Sequence, residues 1–498
     1  MIIKTSPDEI QNYLVDASNF KGFCDAVYFP SNEKEIIEIL KEANQKKQKV
    51  TIAGNHTGLS GGAVPQGGIV ISTEKMNKIL EINPENKSAT VEPAVVLRDF
   101  QSEVRNYNLL YPPDPTERNC FIGGTLSTNA SGEKTFKYGS TRAYVQKLDI
   151  VLANGDLLKL ERGKFIANDY NLEIKTEKGN QYNLELPVIN MPVTKNAAGY
   201  YCKKDMDAVD LFIGSEGTLG LITKAQLKLV PYPEQIISCI IFFDDEKYAL
   251  QFIFAARENS YRTRIEKTEN TIDALALEFL DENSLNFIKD DYNQIPANAK
   301  AAVWFKQEAN ESNEEELLNC WLKLASYFNG NEESAWFAMS EKEKDEIQSL
   351  RHKVSLKVAD YLTNHNVKKL GTDSAVPDDK FLEFYYFCTN EMKKNKFNYI
   401  AYGHFGNSHL HMNMLPKNEE EYSKGKIIYR NIYKKAVELG GTVSAEHGIG
   451  KLKTEYLLEM YGENIMTKMA GIKKVLDPNL ILGYGNIFTE NFLKNISL

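Results

Sequence analysis

The sequence lacks any long apolar run. The longest, from Ile236 to Phe243, is interrupted by Ser238, and a membrane-spanning helix needs about 20 consecutive apolar residues. The first residues also lack the apolar core of a secretion signal before Asp8 and Glu9. We therefore expect a cytoplasmic protein that makes, at most, peripheral contact with the inner face of the membrane.

Closely spaced cysteines are absent as well. The six cysteines are Cys24, Cys120, Cys202, Cys239, Cys320 and Cys388. Four-cysteine zinc sites and ferredoxin-type clusters need ligands only a few residues apart, so the spacing excludes both. Cysteines scattered through a large chain are typical of reduced thiols in a cytosolic protein.

Basic residues are in deficit and form only short clusters. The 498 residues include 59 lysines and arginines against 68 aspartates and glutamates, a formal net charge of −9. Nucleic-acid binding needs a basic patch, so we expect no nucleic-acid partner. Hydrophobic residues at 42% and charged residues at 26% indicate an ordinary globular chain of about two to four domains.

Apolar periodicity predicts the order of helices and strands. Helices are predicted over residues 33–47, 95–107, 248–259, 314–327, 341–359 and 422–439, and strands over 49–53, 68–72, 89–92, 236–243 and 301–305. Pro231-Tyr-Pro233 interrupts the alternation, because proline continues neither a helix nor a central strand. We predict a first domain over 1–231, a second over 232–402 and a C-terminal segment over 403–498.

Three glycine-rich segments lie in the first predicted domain: Gly54–Gly62, Ile122–Gly132 and Gly214–Gly220. Small residues let the backbone approach a ligand closely, and free N–H groups can face an anion. The first segment is neither a Walker A loop nor a Gly-x-Gly-x-x-Gly fingerprint. One such segment is typical of a surface loop, whereas three in one domain indicate a flat, anionic ligand.

Four of the seven histidines fall close together in the chain: His404, His409, His411 and His447. With Glu446 they offer imidazole and carboxylate ligands, which suit zinc, manganese or iron. Spacing alone selects His409 and His411, which would share one face of a strand. A set of buried, hydrogen-bonded histidines is the alternative interpretation.

Together these motifs resemble the vanillyl-alcohol-oxidase/PCMH superfamily of flavoproteins, and within it the branch of D-lactate, D-2-hydroxyglutarate and glycolate dehydrogenases. The resemblance runs from about Lys21 to Phe488 and rests on Val50-Thr-Ile-Ala-Gly54, Gly123-Gly-Thr125, Thr128-Asn-Ala-Ser-Gly132 and Gly214-Ser-Glu-Gly-Thr-Leu-Gly220. It implies an α+β fold: a PCMH-type FAD-binding domain of two α/β subdomains, then an antiparallel-sheet substrate domain. A helical tail would close on the flavin.

The resemblance implies bound FAD. The residues that it places along the cofactor are Gly54, Asn55, His56, Thr57, Gly58, Gly61, Gly62, Pro112, Thr116, Gly123, Gly124, Thr128, Asn129, Ala130, Gly132, Glu216, Gly217, Thr218 and Ile222. Covalently flavinylated members of the superfamily use a histidine near the first loop. His56 lies one position before that point, so we expect non-covalent FAD.

The resemblance also selects the ligands of a divalent metal ion, with zinc as the first choice and manganese or iron as alternatives. The family pattern Gly-His-x-Gly-x-x-x-x-His-x-Asn, followed by Ala-Glu-His-Gly, places the ligands at His404, His411 and Glu446. His409 stands where many relatives have asparagine, and we expect it to support a ligand by hydrogen bonding.

Three further residues are implied to act on a substrate. Asn413 and His447 would line its pocket, with His447 taking the hydroxyl proton. Arg351 would bind the carboxylate, and a surface arginine is the alternative. Many relatives have a lysine where this chain has Gly371, so either Lys368 or Lys369 substitutes for it or the contact is lost.

The first hypothesis is therefore an FAD- and metal-dependent dehydrogenase that oxidises a D-2-hydroxy acid, with D-lactate as the first choice, by hydride transfer to flavin N5. Iron–sulfur and nicotinamide motifs are absent, so electrons would pass to an external quinone, cytochrome or electron-transfer flavoprotein. The alternatives are a transferase similar to alkyl-dihydroxyacetone-phosphate synthase, an electron-transfer subunit of a larger complex, and a metallohydrolase. A homodimer is kept open as the assembly state.

Overall fold

The structure is a computed structural model that describes residues 1–338 and 340–495. Three β-sheets of four, five and eight strands, flanked by helices, form an α+β fold. The first two sheets belong to the N-terminal half of the chain, and the third belongs to the C-terminal half.

The first sheet is mainly parallel. Its strands, in spatial order, are Ile2–Lys4, Ala26–Phe29, Ile69–Ser72 and Val50–Ala53. The helix Glu33–Gln45 begins at Asn32, whose side chain accepts a hydrogen bond from Glu35 N–H. Its apolar face is buried against the sheet. The strand that ends at Ala53 leads directly into the first glycine-rich segment.

The second sheet is antiparallel. Its strands, in spatial order, are Ile79–Asn83, Ser88–Val91, Leu221–Lys228, Val145–Val151 and Leu157–Glu161. The last two pair Leu148 with Leu160, which places Asn154-Gly155 in the turn that this dipeptide predicts. The helices Leu97–Arg105 and Ile122–Thr128 pack into the same core.

The third sheet is covered by helices on both faces. Its strands, in spatial order, are Asn331–Phe337, Gln235–Phe243, Ala301–Ala309, Ala274–Asp281, Tyr399–Gly403, His409–Met414 and Leu370–Gly371, and Ser374–Ala375 also pairs with His409–Met414. The helices of one face are Glu246–Glu266, Glu314–Tyr327, Phe381–Lys394 and Glu419–Glu438, and those of the other are Glu282–Ile288 and Glu341–Asn364. Alternate residues such as Ile240 and Ile241 enter opposite cores.

The C-terminal part of the chain returns to the N-terminal half. The helix Thr454–Leu476 joins the core of the second sheet. Val50 N–H then donates to Ile481 O at 2.8 Å, and Gly483 N–H donates to Val50 O at 2.9 Å, so this segment extends the edge of the first sheet. Residues from the two ends of the sequence therefore form one structural unit.

Short elements complete the fold. Four short helices are Pro7–Ile10, Thr135–Tyr138, Ala208–Phe212 and Glu490–Asn495; the 3₁₀ turns are Gln11–Tyr13, Thr141–Tyr144, Lys289–Asp291, Asp378–Lys380 and Phe405–Asn407; the two-stranded pairs are Asn171–Lys175 with Gln181–Glu185 and Leu109–Leu110 with Val230–Pro231. Among the described residues, no helix combines the length and apolar character needed to cross a bilayer.

The predicted α+β fold, with an antiparallel sheet and a helical tail in the C-terminal part, is confirmed. The helices and strands predicted from periodicity are present, with bounds that differ by several residues at their ends. The strand Ala274–Asp281 is an addition, since its wholly buried residues show no alternation that would distinguish a strand. The division into 1–231, 232–402 and 403–498 stays a prediction.

Candidate functional site

The three glycine-rich segments converge in space, and we call them together the glycine cradle. Glu216 N–H donates to Ser127 O at 2.9 Å, which joins the second and third segments. Asn486 Nδ2 donates to both Gly62 O and Glu216 O, at 2.9 and 3.0 Å, which joins the first and third. The cradle is therefore one continuous surface built by residues far apart in the sequence.

The first segment has the properties of an anion-binding loop. Among the described residues, no backbone N–H of residues 54–60 donates a hydrogen bond to another protein group. Most buried backbone N–H groups in folded proteins are paired, so such a run of free donors is typical of a ligand-binding loop. Gly124 in the second segment faces open space, with no atom within 4 Å of the position that a Cβ would occupy. These features fit the diphosphate and flat ring of FAD.

Two glycines of the cradle cannot be replaced without strain. Gly61 has φ +74°, in the left-handed region that glycine favours. A Cβ at Gly132 would lie 2.0 Å from Asp114 O, so this backbone passes directly against its neighbour. The predicted small residues are thus required by the local backbone as well as by any ligand.

The other predicted cofactor residues lie in or beside the cradle. Asn55 Nδ2 donates to Asn119 O at 2.7 Å. Asn129 ends the helix Ile122–Thr128 in the left-handed conformation, and its Oδ1 accepts a hydrogen bond from Arg142 N–H. Ile222 is buried in its strand. The full predicted set around these positions is Gly54, His56, Thr57, Gly58, Pro112, Thr116, Gly123, Thr128, Ala130, Gly217 and Thr218.

The side chain of Glu216 faces the C-terminal segment. Its carboxylate accepts hydrogen bonds from Ile449 N–H at 2.8 Å and Gly450 N–H at 2.6 Å. Burial raises the pKa of Glu216 to about 7, although these two donors and Lys451 oppose the shift. Glu216 therefore joins the glycine cradle to the loop that carries Glu446 and does not present its carboxylate to a cofactor.

The structure brings His404, His411 and Glu446 together. His404 Nε2 lies 3.3 Å from Glu446 Oε1, and His411 Nε2 lies 3.6 Å from Glu446 Oε2. His409 completes the group, because one potential ligand atom from each of the four residues lies within 4.8 Å of the others. We call these four residues the histidine cluster. His404, His409 and His411 sit at and just after the end of the strand Tyr399–Gly403 and on the paired strand His409–Met414.

Each imidazole of the histidine cluster is fixed from behind by an oxygen. His404 Nδ1 lies 2.6 Å from Glu278 Oε1, and His411 Nδ1 lies 3.2 Å from Thr372 O. His409 Nε2 lies 3.2 Å from Asp373 Oδ1. Metal-binding histidines usually donate their second N–H to such an oxygen, so this arrangement fits a metal ion.

Charged neighbours determine protonation in the histidine cluster. Burial raises the pKa of Glu446, but Lys195 and His404 outweigh it and hold that pKa well below its usual range. Burial lowers the pKa of His411 to about 4 and that of His409 well below its ordinary value. Burial also lowers the pKa of His404, but Glu278 and Glu446 together raise it above its ordinary value. Anionic carboxylate and neutral imidazoles are the forms that bind metals.

Lys195 lies directly against Glu446. Its Nζ forms a buried ion pair with Glu446 Oε1 and also donates to Gly132 O at 3.4 Å. Ser131 Oγ donates to the same carboxylate oxygen at 3.3 Å. The glycine cradle and the histidine cluster are therefore adjacent, separated by about one hydrogen bond.

Arg351 lines a cavity next to the histidine cluster. The cavity has a volume of about 320 Å³ and its lining includes Thr116, Arg118, Glu278, Arg351 and His404. Arg351 Nε donates to Glu278 Oε2 at 3.2 Å, and together with His404 it lowers the pKa of Glu278 to about 2 although burial opposes this. Arg351 is 6% exposed, which excludes the surface-arginine alternative.

His447 and Asn413 lie on the other side of the histidine cluster. His447 Nδ1 is 3.2 Å from Asp373 Oδ2, and its ring stacks at 5.8 Å on that of His411. Asn413 Oδ1 is buried and has no hydrogen-bond partner among residues 1–338 and 340–495. A Cβ at Gly371 would lie 2.5 Å from this oxygen, and Lys368 and Lys369 are both exposed.

Sequence reasoning missed three charged residues of the site. Glu278 has the clearest signal, since it is the only charged residue in the otherwise apolar stretch 274–280. Asp373 accepts hydrogen bonds from the backbone of Glu446 and His447, at 3.1 and 3.0 Å. Lys195 lies in an irregular loop with no pattern around it, so no sequence signal indicates its role.

Comparison with known proteins agrees with the motifs. A model of the FAD binding domain matches residues 24–161, and a model of FAD linked oxidases, C-terminal domain, matches residues 252–487. The glycolate oxidase subunit GlcD of Bacillus subtilis is 31% identical over 97% of this chain and 93% of its own length. A D-lactate dehydrogenase of Anaerostipes hadrus is 29% identical, over 92% and 88%. A D-2-hydroxyglutarate dehydrogenase of Stutzerimonas stutzeri is 27% identical, over 98% and 96%.

Solved structures share the fold. A 4-ethylphenol oxidase from Gulosibacter chungangensis superposes with a TM-score of 0.67 at 16% identity, covering 98% of this chain and 95% of that one. An alkyldihydroxyacetonephosphate synthase gives a TM-score of 0.65 at 15% identity, covering 97% and 81%. Identities this low carry the fold and not the reaction. Taken with the family models and the GlcD match, the glycine cradle and the histidine cluster place this chain in the family of FAD-linked oxidases.

Proposed function

We propose that the protein is an FAD- and divalent-metal-dependent dehydrogenase that oxidises a D-2-hydroxy acid to the 2-oxo acid, with D-lactate as the first candidate. The relatives named as D-lactate dehydrogenase, glycolate oxidase subunit and D-2-hydroxyglutarate dehydrogenase all act on small hydroxy acids or are named for them. Electrons would leave to an external acceptor, for which quinone, cytochrome and electron-transfer flavoprotein are the candidates.

One cavity carries the proposal. Its wall includes Thr116 from the cradle side, His404 from the histidine cluster and Arg351 as the carboxylate-binding candidate. These three residues come from separate parts of the sequence, and each was assigned to a different partner of the same reaction. Their meeting at one cavity of about 320 Å³ supports a substrate held between flavin, metal and arginine.

The charges of the cavity suit an anionic substrate. Its acidic groups are each paired: Asp114 with Lys134 at 2.9 Å, Glu133 with Lys306 at 2.5 Å, and Glu278 with Arg351. Arg118 makes no ion pair with any residue of the described chain. The cavity therefore holds an excess of positive charge, which favours a carboxylate.

The proposed metal ligands are His404, His411 and Glu446, and the proposed cofactor residues are those of the glycine cradle. Bound FAD supplies the hydride acceptor, and a bound divalent ion polarises the substrate hydroxyl. The protein's part is to fix the substrate: Arg351 holds the carboxylate, and Asn413, whose buried Oδ1 has no partner in the described residues, contacts its hydroxyl side.

His447 is the proposed base for the hydroxyl proton. Asp373 Oδ2 lies 3.2 Å from its Nδ1, which holds that nitrogen as the N–H and leaves Nε2 to accept a proton. The ring is about one quarter exposed, so the proton can pass on to solvent. Asp373 also accepts from His447 N–H, and it thereby fixes both the backbone and the ring of the base.

Anaerobic titration of the purified flavoprotein with D-lactate, L-lactate, glycolate and D-2-hydroxyglutarate tests the proposal. We expect D-lactate to bleach the flavin absorbance and L-lactate to leave it unchanged, because three fixed directions at the stereocentre admit one enantiomer. Removal of metal by a chelator should stop bleaching while the flavin stays bound. A flavin that no 2-hydroxy acid reduces would overturn the proposal.

A further inference from the structure

His409 has the arrangement of a metal ligand in its own right. Its Nε2 lies 3.2 Å from Asp373 Oδ1, as the Nδ1 atoms of His404 and His411 lie against Glu278 and Thr372 O. All three rings therefore have one nitrogen directed at an outer oxygen. The opposite nitrogens of His404 and His411 approach Glu446, and the remaining question is what the opposite nitrogen of His409 does.

His409 Nδ1 is buried and has no partner. The residue is 0% exposed, and Nδ1 makes no hydrogen bond with any described residue. A buried polar atom without a partner costs about 1–3 kcal/mol, so such an atom usually serves a ligand. The ring centroid of His409 lies 4.3 Å from that of His411 and 5.4 Å from that of His404, close enough for the three rings to share one ion.

Distances within the histidine cluster support a shared ion. One potential ligand atom from each of His404, His409, His411 and Glu446 lies within 4.8 Å of the others. Two ligands on opposite sides of one ion are about 4 Å apart, so less than about 1 Å of closure brings all four atoms into range. Lys195, which pairs with Glu446, can retain its contact because a carboxylate has two oxygens.

We propose that His409 is a fourth protein ligand of the divalent ion, so that the ion is bound by three imidazoles and one carboxylate. This inference rests on the metal dependence proposed above. It changes the expected metal, because four protein ligands fill a tetrahedral zinc site and leave no position for substrate. An ion with five or six coordination positions keeps one open, so manganese or ferrous iron is favoured over zinc.

X-ray absorption of the FAD-loaded enzyme reconstituted with Mn²⁺ counts the coordinated imidazoles without any substitution. We expect three imidazoles and a coordination number of five or six. In His409→Asn we expect two imidazoles, and a Mn²⁺ affinity lowered by more than about 100-fold, beyond the loss of about 10–100-fold that an outer hydrogen bond costs. FAD content should not change.

His365→Asn is the matched control. His365 is exposed, its ring stacks on Tyr361 at 4.1 Å, and it lies on a different face of the molecule from the cluster. This variant should keep three imidazoles and the wild-type Mn²⁺ affinity. The wild-type spectrum alone decides the inference even if His409→Asn does not fold.

The outcomes separate this inference from the proposed function. Two coordinated imidazoles in a wild-type enzyme that D-lactate still reduces would overturn His409 as a ligand and leave the proposed function standing. A flavin that D-lactate reduces with no metal bound would overturn the metal dependence, and His409 with it. Three imidazoles on a bound ion, with unchanged affinity in His409→Asn, would also overturn the inference.

Discussion

The glycine cradle and the histidine cluster are adjacent sites built in opposite ways. The cradle offers backbone N–H groups and open space, and its contacts between segments run mainly through backbone atoms. The histidine cluster offers side chains, each held by a named oxygen or ammonium group. Backbone sites tolerate any sequence that keeps residues small, whereas side-chain sites depend on particular atoms. Substitutions should therefore have larger and more specific effects in the cluster than in the cradle.

The largest effect should follow from removing the proposed base next to the cluster. His447→Ala takes away the proton acceptor and leaves the four residues of the cluster in place, so flavin reduction by D-lactate should slow by about 10²–10⁴-fold. Stopped-flow absorbance under anaerobic conditions measures this rate, and FAD and metal content should equal those of wild type. Reduction at the wild-type rate would exclude His447 as the base.

The junction between the two sites should respond to pH. Burial raises the pKa of Glu216 to about 7 from its ordinary 4.5, so the folded protein holds this proton more tightly than the unfolded chain does. The free energy of unfolding is then highest at or below pH 4.5 as far as this group is concerned, and falls by roughly 3 kcal/mol as pH rises to about 7. Urea unfolding of wild type and Glu216→Gln at pH 5 and pH 8 isolates this difference. Parallel pH profiles in the two proteins would contradict it.

A smaller effect should follow from loosening one imidazole of the cluster. Glu278→Gln weakens the acceptor of His404 Nδ1, so Mn²⁺ affinity should fall by about 10–100-fold while FAD stays bound. Competition with a chelator measures the affinity. Glu282→Gln, at an exposed acid paired with Lys300, is the control and should bind Mn²⁺ as wild type does.

The smallest effect should come from the cradle. Gly61→Ala places a side chain at φ +74°, which costs about 1–2 kcal/mol and should weaken FAD binding by roughly 5–30-fold. Flavin fluorescence on dilution measures the affinity. Gly163→Ala introduces similar strain at φ +87° in open space, and should lower stability without weakening FAD. Equal FAD loss in both variants would show that the cradle effect is only a loss of stability.

This contrast also explains what the sequence could predict. The cradle was found because small residues in a row are visible in any sequence, and the ligands of the cluster were found by a family pattern. Spacing alone selected His409 with His411, and the family pattern selected His404 with His411; the structure brings all three together. Local periodicity predicted most helices and strands, since each depends on burial of one face.

The missed residues are those whose partners lie far along the chain. Glu278 meets His404 across 126 positions, and Lys195 meets Glu446 across 251. No local pattern encodes such a pair, because its energy arises only after the sheets have packed. The lone carboxylate in the apolar run around Glu278 was a usable signal, since a buried charge needs a partner.

The pairing of Val50 with Ile481 and Gly483 has a consequence for how the molecule is made. The strand Val50–Ala53 leaves the ribosome long before its last partner segment. At about 5–20 residues per second, the intervening chain takes roughly 20–90 s to synthesise. Throughout that time one edge of the first sheet is open to pairing with other chains. Newborn chains should therefore depend on chaperones until synthesis has passed Gly483, and slower translation should increase their aggregation.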